Sequence, residues 1–403
     1  MSGHYDVVVI GGGIIGLSTA MHLLQRHPRL RLAVLEKDGR LAGQQTGHNS
    51  GVIHSGIYYR PDSKKAQFCV AGRASIVEFC ETSGIPYERC GKVIVATRKE
   101  ELPRLDSLYE RGLANGVEGL EIIEPARLRE IEPHVAAIRA LWAPSTAIVD
   151  FTAIADEYGR RVRESGGEIH LGARVTAIVQ RDGVSNIETE DGEYRARFVV
   201  NCAGLHADRI AALMGARRDV RIVPFRGEYY TLRQDRQHLV RGLIYPVPDP
   251  DLPFLGVHFT RNVKGYVEAG PNAVLATARE GYRKRDVNLR DLFDTLGFAG
   301  FWRVARRQWK TGAAEVNRSF RKSVFVRDLQ RMIPEVAAGA LRPGGSGVRA
   351  QAVSRDGALL DDFVIERTDN AVHVLNAPSP GATSSLVIGR HIVALADEAF
   401  ALE

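Results

Sequence analysis

The chain is short of cysteine and has no long apolar run. Its four cysteines, Cys69, Cys80, Cys90 and Cys202, form no C-x-x-C pair and show no zinc-ligand spacing. That pattern argues against a disulfide scaffold or a structural zinc site, and it reads as reduced thiols in a cytoplasmic protein. No metal is expected. No stretch approaches the ~20 consecutive apolar residues that span a bilayer. Internal repeats and low-complexity tracts are missing too, which argues against a solenoid or a disordered chain. A secretory leader is not expected, because Tyr5 to Ile10 already read as a strand. Acidic surplus is also lacking: the formal net charge is +6. Between Arg279 and Arg331 fourteen Lys and Arg face six Asp and Glu. Such a surplus makes either a solvated basic face or a face for an anionic surface. No nucleic-acid motif accompanies it, so no nucleic-acid partner is expected.

What is present begins with a dinucleotide site. The strand YDVVVI runs into GGGIIG, where Gly11, Gly13 and Gly16 match G-x-G-x-x-G and Ile14 opens a helical stretch. A second strand, RLAVLEK, ends in Glu36, 20 residues beyond Gly16. Each residue type has a physical task. Gly11 permits the tight turn, Gly13 lets the backbone approach a pyrophosphate, and Gly16 lets helix and strand pack closely. The helix N-terminus offers N–H groups and partial positive charge to the phosphates. Glu36 suits a ribose with a free 2′-hydroxyl, hence FAD or NAD.

At 403 residues the chain suits two domains. They are interleaved. GGEIHLGARVTAIVQ (166–180), RFVVNCAG (197–204) and AVHVLNAPSPGATSSLVIG (371–389) read as further strands delivering small residues to a cofactor edge. Residues 223–275 alternate like antiparallel strands, and 282–335 read as mainly helical. The expected cofactor domain is therefore 1–85, 151–222 and 336–403, with a substrate domain from 86–150 and 223–335. The fold class is α/β: a Rossmann-like domain beside a mixed α+β domain built on an antiparallel sheet. The returning C-terminal segment favours a flavin over a nicotinamide.

Several longer blocks carry a resemblance. They are TGHNSGVIHSGIYY (46–59), CGKVIVAT (90–97), PFRGEYY (224–230), YPVPDP (245–250), PFLGVHFT (253–260), GPNAVLA (270–276), GVRAQAV (347–353) and NAPSPGATSS (376–385). With the fingerprint and the NCAG strand, the chain resembles FAD-dependent oxidoreductases of the D-amino-acid oxidase-like group. Within that group the blocks look like the branch that oxidises L-2-hydroxyglutarate. The resemblance implies noncovalent FAD, oxidation of a small dicarboxylate to 2-oxoglutarate, and electrons passed to a quinone or oxygen. Alternatives of the same fold are amine oxidases of glycine or sarcosine type and glycerol-3-phosphate dehydrogenases. A flavin-binding scaffold or a basic nucleic-acid-binding module is the non-enzymatic alternative.

Flavin-linked alcohol oxidation needs a hydride acceptor, a base and fixed carboxylates. His54 in SGVIHSG and His258 in FLGVHFT are the candidate bases among twelve histidines. Two carboxylates call for two cations. Arg349 in GVRAQ is the first candidate; Arg226 in PFRGEYY is the second, with a structural pairing to Glu228 as its alternative. Amino-acid-oxidising relatives place a proline after the arginine, whereas Ala350 and Gln351 follow here. Tyr245, Asn272 and Gln351 are further polar candidates. The cofactor is expected to meet Gly11, Gly13, Ile14, Gly16, Glu36 and Lys37. The loop Gln45, Thr46, His48, Asn49, Ser50 and Gly51 should border it as well. By resemblance Val175 meets the adenine, Ala203 and Gly204 end a returning strand, and Gly381, Ala382, Thr383 and Ser384 offer N–H groups to the flavin. Residues 292–309, LFDTLGFAGFWRVARRQW, mix aromatic and basic groups. They suit either a core helix with a basic edge or a helix on an anionic membrane surface near a quinone.

Overall fold

The computed structural model describes residues 3–216, 219–249 and 255–400. Residues 250–254, which include the ends of the YPVPDP and PFLGVHFT blocks, lie outside the described residues.

The cofactor domain is organised around the strand Gly3–Ile10, whose inner residues Val7, Val8 and Val9 are fully buried. It pairs in parallel with Leu32–Glu36 on one side and Glu193–Asn201 on the other. Glu168–Leu171 extends the sheet beyond Leu32–Glu36, and Ala371–Asn376 runs parallel to the end of Glu193–Asn201. The hairpin Val175–Arg181/Val184–Thr189 adds an antiparallel wing. Both faces are covered, as a parallel sheet requires. Helices Ile14–Arg26, Phe151–Glu164 and Ser385–Phe400 pack one face into the largest apolar core. Three distant chain segments thus meet at one sheet, as the strand-ending small residues imply.

The substrate domain is a mixed sheet. Its long strand Val220–Leu232 pairs antiparallel with Leu341–Ser354, Val267–Gly270 and Val274–Leu275. The sheet continues through His258–Arg261, Leu243–Pro246, Lys92–Ala96 and Arg139–Ala143. The expected boundary at 336 moves accordingly. Leu341–Ser354 is bound to Val220–Leu232 in register from Leu232↔Leu341 to Val220↔Ser354, so it belongs to the substrate sheet. The cofactor domain resumes only beyond it. One face of this sheet closes on an apolar core with Phe325, Leu329 and Ile333. The other face looks towards the cofactor domain.

The segment 292–309 is not one helix. Leu289–Leu296 ends at Gly297, and Ala299–Arg307 starts anew. Gly300 is required there: a Cβ would lie 2.3 Å from the Ser354 carbonyl oxygen.

Candidate active site

A cavity of about 1080 Å³ runs along the junction of the two domains, from Glu36 and Val175 past the fingerprint to His54, His258 and Arg349. Its first part is backbone. Gly11 sits at φ +114°, and a Cβ there would lie 2.4 Å from the Cys202 carbonyl oxygen. Gly16 lies outside the lining but allows the packing beneath it, since its Cβ would fall 2.0 Å from the Gly11 carbonyl oxygen. Gly13 differs. Its Cβ would meet only the Thr46 hydroxyl, at 3.4 Å, so its free side is the cavity itself. The Glu36 carboxylate accepts from Gly12 N at 2.7 Å and Asp38 N at 2.8 Å, which turns it onto the fingerprint loop. Burial raises its pKa, and those two N–H groups oppose the rise.

The 45–51 loop crosses the middle of the cavity. Thr46 Oγ1 accepts from Ile14 N at 3.0 Å, tying the loop to the helix start. His48 Nδ1 donates to Ser346 O at 3.0 Å, and its ring stacks on Tyr282 at 4.1 Å between centroids. Gln45, Asn49 and Ser50 join them on the wall, whereas Gly51 makes the turn behind it at φ +69°. Lys37 is on the wall too, but its ammonium is held by Asp38 at 2.7 Å and Glu280 at 2.9 Å. Ala203 and Gly204 line the cavity beyond the end of Glu193–Asn201. In the closing turn, Gly381 N and Ser384 N are bonded to Pro378 O and Pro380 O. Gly381, Ala382 and Thr383 line the cavity; Ser384 lies behind, against Gly72 of the neighbouring helix.

The far end holds the ionisable groups. His54 is pinned by its backbone: its N–H donates to Thr383 Oγ1 at 3.1 Å, and its carbonyl accepts from the Cys69 thiol at 3.3 Å. His258 Nδ1 donates to Gly256 O at 2.8 Å, and its ring lies 3.9 Å from that of Tyr245. That bond fixes the tautomer and leaves the Nε2 lone pair available. Burial pushes the His54 imidazole down to about 3, helped by the charge of Lys92. Burial also takes His258 down to about 4, with the charges of Arg349 and Lys92 adding to the effect and the Gly256 carbonyl opposing it. Both imidazoles are therefore neutral at neutral pH and able to accept a proton. Arg349 is on the cavity wall, its guanidinium pKa lowered by burial, with Tyr229, Tyr245 and Glu315 favouring its charge. Gln351 lines the cavity, although its amide donates to Ala352 O and Leu360 O.

Two expected substrate groups are placed elsewhere. Register sets Phe225 opposite Arg349 and Arg226 opposite Val348, so Arg226 points to the other face of the sheet. There it donates to Glu228 Oε1 at 3.0 and 3.1 Å and to Arg283 O at 3.2 Å. Asn272 donates to the same carboxylate at 3.1 Å and accepts from Glu228 N at 2.8 Å. Both brace Glu228 on the outer side of the sheet and do not line the cavity. Tyr58, Tyr59 and Tyr229 do line it and were not singled out from sequence. Tyr58 and Tyr59 sit inside the quoted GIYY block, so the signal was present.

A model of FAD dependent oxidoreductases matches residues 6–395. The chain belongs to this FAD-dependent oxidoreductase family. The oxidoreductase is 50% identical over 386 residues to L-2-hydroxyglutarate dehydrogenase of Indibacter alkaliphilus, covering 96% of this chain and 97% of that one. It is 46% identical over 390 residues to the Escherichia coli K12 protein of that name, covering 96% and 92%. Human mitochondrial L-2-hydroxyglutarate dehydrogenase matches at 44% over 415 residues, covering 99% and 90%. Among solved structures, an FAD-bound L-alpha-glycerophosphate oxidase from Mycoplasma pneumoniae superimposes with a TM-score of 0.80 at 22% identity, covering 97% and 94%. A glycine oxidase from Geobacillus kaustophilus gives 0.73 at 19% identity, covering 98% and 95%. These two likenesses concern the fold.

The cavity fits the cofactor of that family. The open side of Gly13 and the N-terminus of the helix Ile14–Arg26, which borders the cavity, suit a pyrophosphate, and Glu36 suits a ribose. At the far end, His54 Nδ1 and Tyr58 Oη are buried polar atoms with no hydrogen-bond partner among the described residues, on a wall a ligand would complete.

Proposed function

We propose that this oxidoreductase oxidises L-2-hydroxyglutarate to 2-oxoglutarate. The observation that carries the reading is the far end of the cavity, where the buried His258, the half-buried His54, both neutral, and the half-buried Arg349 line one end together. Full-length similarity to L-2-hydroxyglutarate dehydrogenases supports the choice of substrate. FAD, when bound, supplies the acceptor for the hydride leaving C2. Arg349 holds a substrate carboxylate with its planar fork. His258 Nε2 takes the hydroxyl proton, with the Gly256 carbonyl keeping the ring in the accepting tautomer. His54 fixes the opposite wall through Thr383. Anaerobic mixing with L- and D-2-hydroxyglutarate, followed by flavin absorbance, tests the reading. Bleaching by the L-isomer alone is expected. No bleaching by either, with rapid bleaching by an amine or by glycerol 3-phosphate, would overturn it.

We further infer that the helical segment 287–320 rests on an anionic membrane surface, where a quinone could collect the electrons. Among the described residues no helix is long and apolar enough to cross a membrane. Instead Leu289, Phe293, Trp302, Trp309 and Phe320 are 54–76% exposed on successive short helices. Phe298 and Val304 of the same stretch are buried, so the segment packs inward and still presents aromatics outward. Arg306 and Lys310 stand exposed beside them. This is the composition of an interfacial surface. Co-sedimentation with anionic vesicles at low salt and release at high salt are expected. A protein wholly in the supernatant at low salt would refute the surface.

A further inference from the structure

A lysine lies buried behind the substrate end of the cavity. Lys92 opens the strand Lys92–Ala96 and is 1% exposed. Strand register puts it beside Leu243 and puts Ile94 beside Tyr245, on the sheet face that looks towards the cofactor domain. Its ammonium lies over two tyrosine rings, at 4.6 Å from the Tyr58 centroid and 5.2 Å from that of Tyr245. Both rings line the cavity. No carboxylate is paired with Lys92 among the described residues; besides the two rings, Cys69 favours its charge. Burying an ammonium without a counter-ion costs several kcal/mol. Two aromatic faces return only part of that. A site that tolerates such a charge gains most when an anion arrives.

We propose that Lys92 is the second cation of the substrate site, a specificity-determining residue whose charge selects a dicarboxylate across the Tyr58 and Tyr245 rings. The inference rests on the dicarboxylate reading above. It replaces the role that Arg226 cannot fill from the opposite sheet face. Lys92 and Arg349 both act electrostatically on His258, so the two cations flank one end of the cavity. Two buried positive charges there match the two carboxylates of the proposed substrate. One carboxylate meets Arg349 directly; the other feels the charge of Lys92 across the intervening rings.

The groups facing Lys92 are known from each packed element. His54 and Tyr58 come from the loop after Ile53, Cys69 from the helix Lys64–Ser83, Tyr245 and His258 from neighbouring strands. Burial lowers its pKa to about 8, and Cys69 opposes the fall slightly. The cation is therefore present at neutral pH and lost as pH rises through about 8, so kcat/KM for a dianion should fall on the alkaline side.

The test compares Lys92→Met and Lys92→Arg with the parent holoenzyme. Substrates are L-2-hydroxyglutarate and L-2-hydroxypentanoate, which has the same chain length and lacks the distal carboxylate. A unit charge acting over roughly 7 Å at an effective dielectric of about 20 corresponds to a factor of about 10 to 100 in binding. Lys92→Met should lose that much of the dicarboxylate preference, mainly in KM, and lose the alkaline limb. Lys92→Arg should keep the preference and carry the limb to higher pH. An unchanged preference in Lys92→Met would overturn the proposal. Should Lys92→Met fail to retain FAD, an alkaline limb unmoved in Lys92→Arg would overturn it equally. Glutarate titration, read by perturbation of flavin absorbance, separates the two readings. Glutarate binding that weakens in Lys92→Met supports the role of Lys92 even if L-2-hydroxyglutarate is not turned over. Turnover with unchanged glutarate binding refutes Lys92 alone.

Discussion

Replacing His258 by Gln tests the chemistry most directly. The parent ring has a fixed tautomer, because Nδ1 donates to the Gly256 carbonyl at 2.8 Å, and the remaining nitrogen carries the lone pair. Gln keeps polarity at that position and removes the base. Loss of a general base lowers rates by roughly 10²- to 10⁴-fold. At 1.36 kcal/mol per decade that is about 3–5 kcal/mol on the barrier. The assay is single-turnover flavin reduction by L-2-hydroxyglutarate, with FAD content and thermal midpoint checked to exclude a packing defect beside Tyr245. The pH dependence adds a second constraint. From sequence, an ionisation near neutrality is the natural expectation for a histidine base. The structure moves it, since burial and the charges of Arg349 and Lys92 hold His258 down to about 4 in the free protein. The parent kcat/KM should therefore rise through an acid limb near pH 4 and be level through neutrality. Near-parental flavin reduction in His258→Gln, or an acid limb near 6.5 in the parent, would refute the assignment.

Three further outcomes are expected. Arg349→Met should lower kcat/KM for L-2-hydroxyglutarate by a factor of about 10² or more, as truncation of a desolvated charge partner does, while FAD content is retained; parental turnover would remove Arg349 from the site. Gly13→Glu should give a colourless protein with a folded far-ultraviolet spectrum, because its side chain would enter the cavity rather than strike protein atoms; a yellow variant would refute the pyrophosphate site. Stability should fall in acid, since His54, His258 and His373 are held down to about 3, 4 and 4 by burial. The unfolded chain binds these protons near 6.5, so the contribution is complete above that pH and declines below it, by about 2 kcal/mol per histidine at pH 5. A thermal midpoint unchanged from pH 7 to pH 5 would contradict that burial.

The cofactor half of the protein was legible because its signals are local. Gly11, Gly13, Gly16 and Glu36 act within one strand–helix–strand unit, and each glycine can be assigned a distinct steric task before any tertiary contact is known. The returning strands were legible for the same reason: small residues ending an apolar run mark a close backbone approach. The domain boundary was not. Leu341–Ser354 reads as a strand, but its partner Val220–Leu232 lies over a hundred residues upstream, and only that pairing assigns it to the substrate sheet. The broken helix at 297–300 was foreshadowed by its two glycines, whereas the contact that demands Gly300, the Ser354 carbonyl, is remote in sequence.

The substrate end shows what residue type alone leaves open. Arg226 and Arg349 lie on adjacent paired strands, in blocks that carry the family resemblance. A strand alternates faces every residue, so a shift of one position sends a side chain from cavity to outer core. Arg349 sits opposite Phe225 and faces the cavity; Arg226, one residue on, reaches Glu228 and the backbone of Gly281 and Arg283 instead. Parity cannot be assigned until the covered face of the sheet is known, and that face is set by strands far away in sequence. Lys92 obeys the same rule in the opposite sense. In the run KVIVA a lysine looks like the polar end of an apolar strand, with a solvated tip expected. Its register instead directs it inward, behind Tyr58 and Tyr245. A charged residue at the inward parity of a fully buried strand, with no acid to meet it among the described residues, is the pattern that distinguishes a recognition charge from a surface one. On the proposal above, it supplies the second positive charge that a dianionic substrate requires and that the outward-turned Arg226 cannot provide.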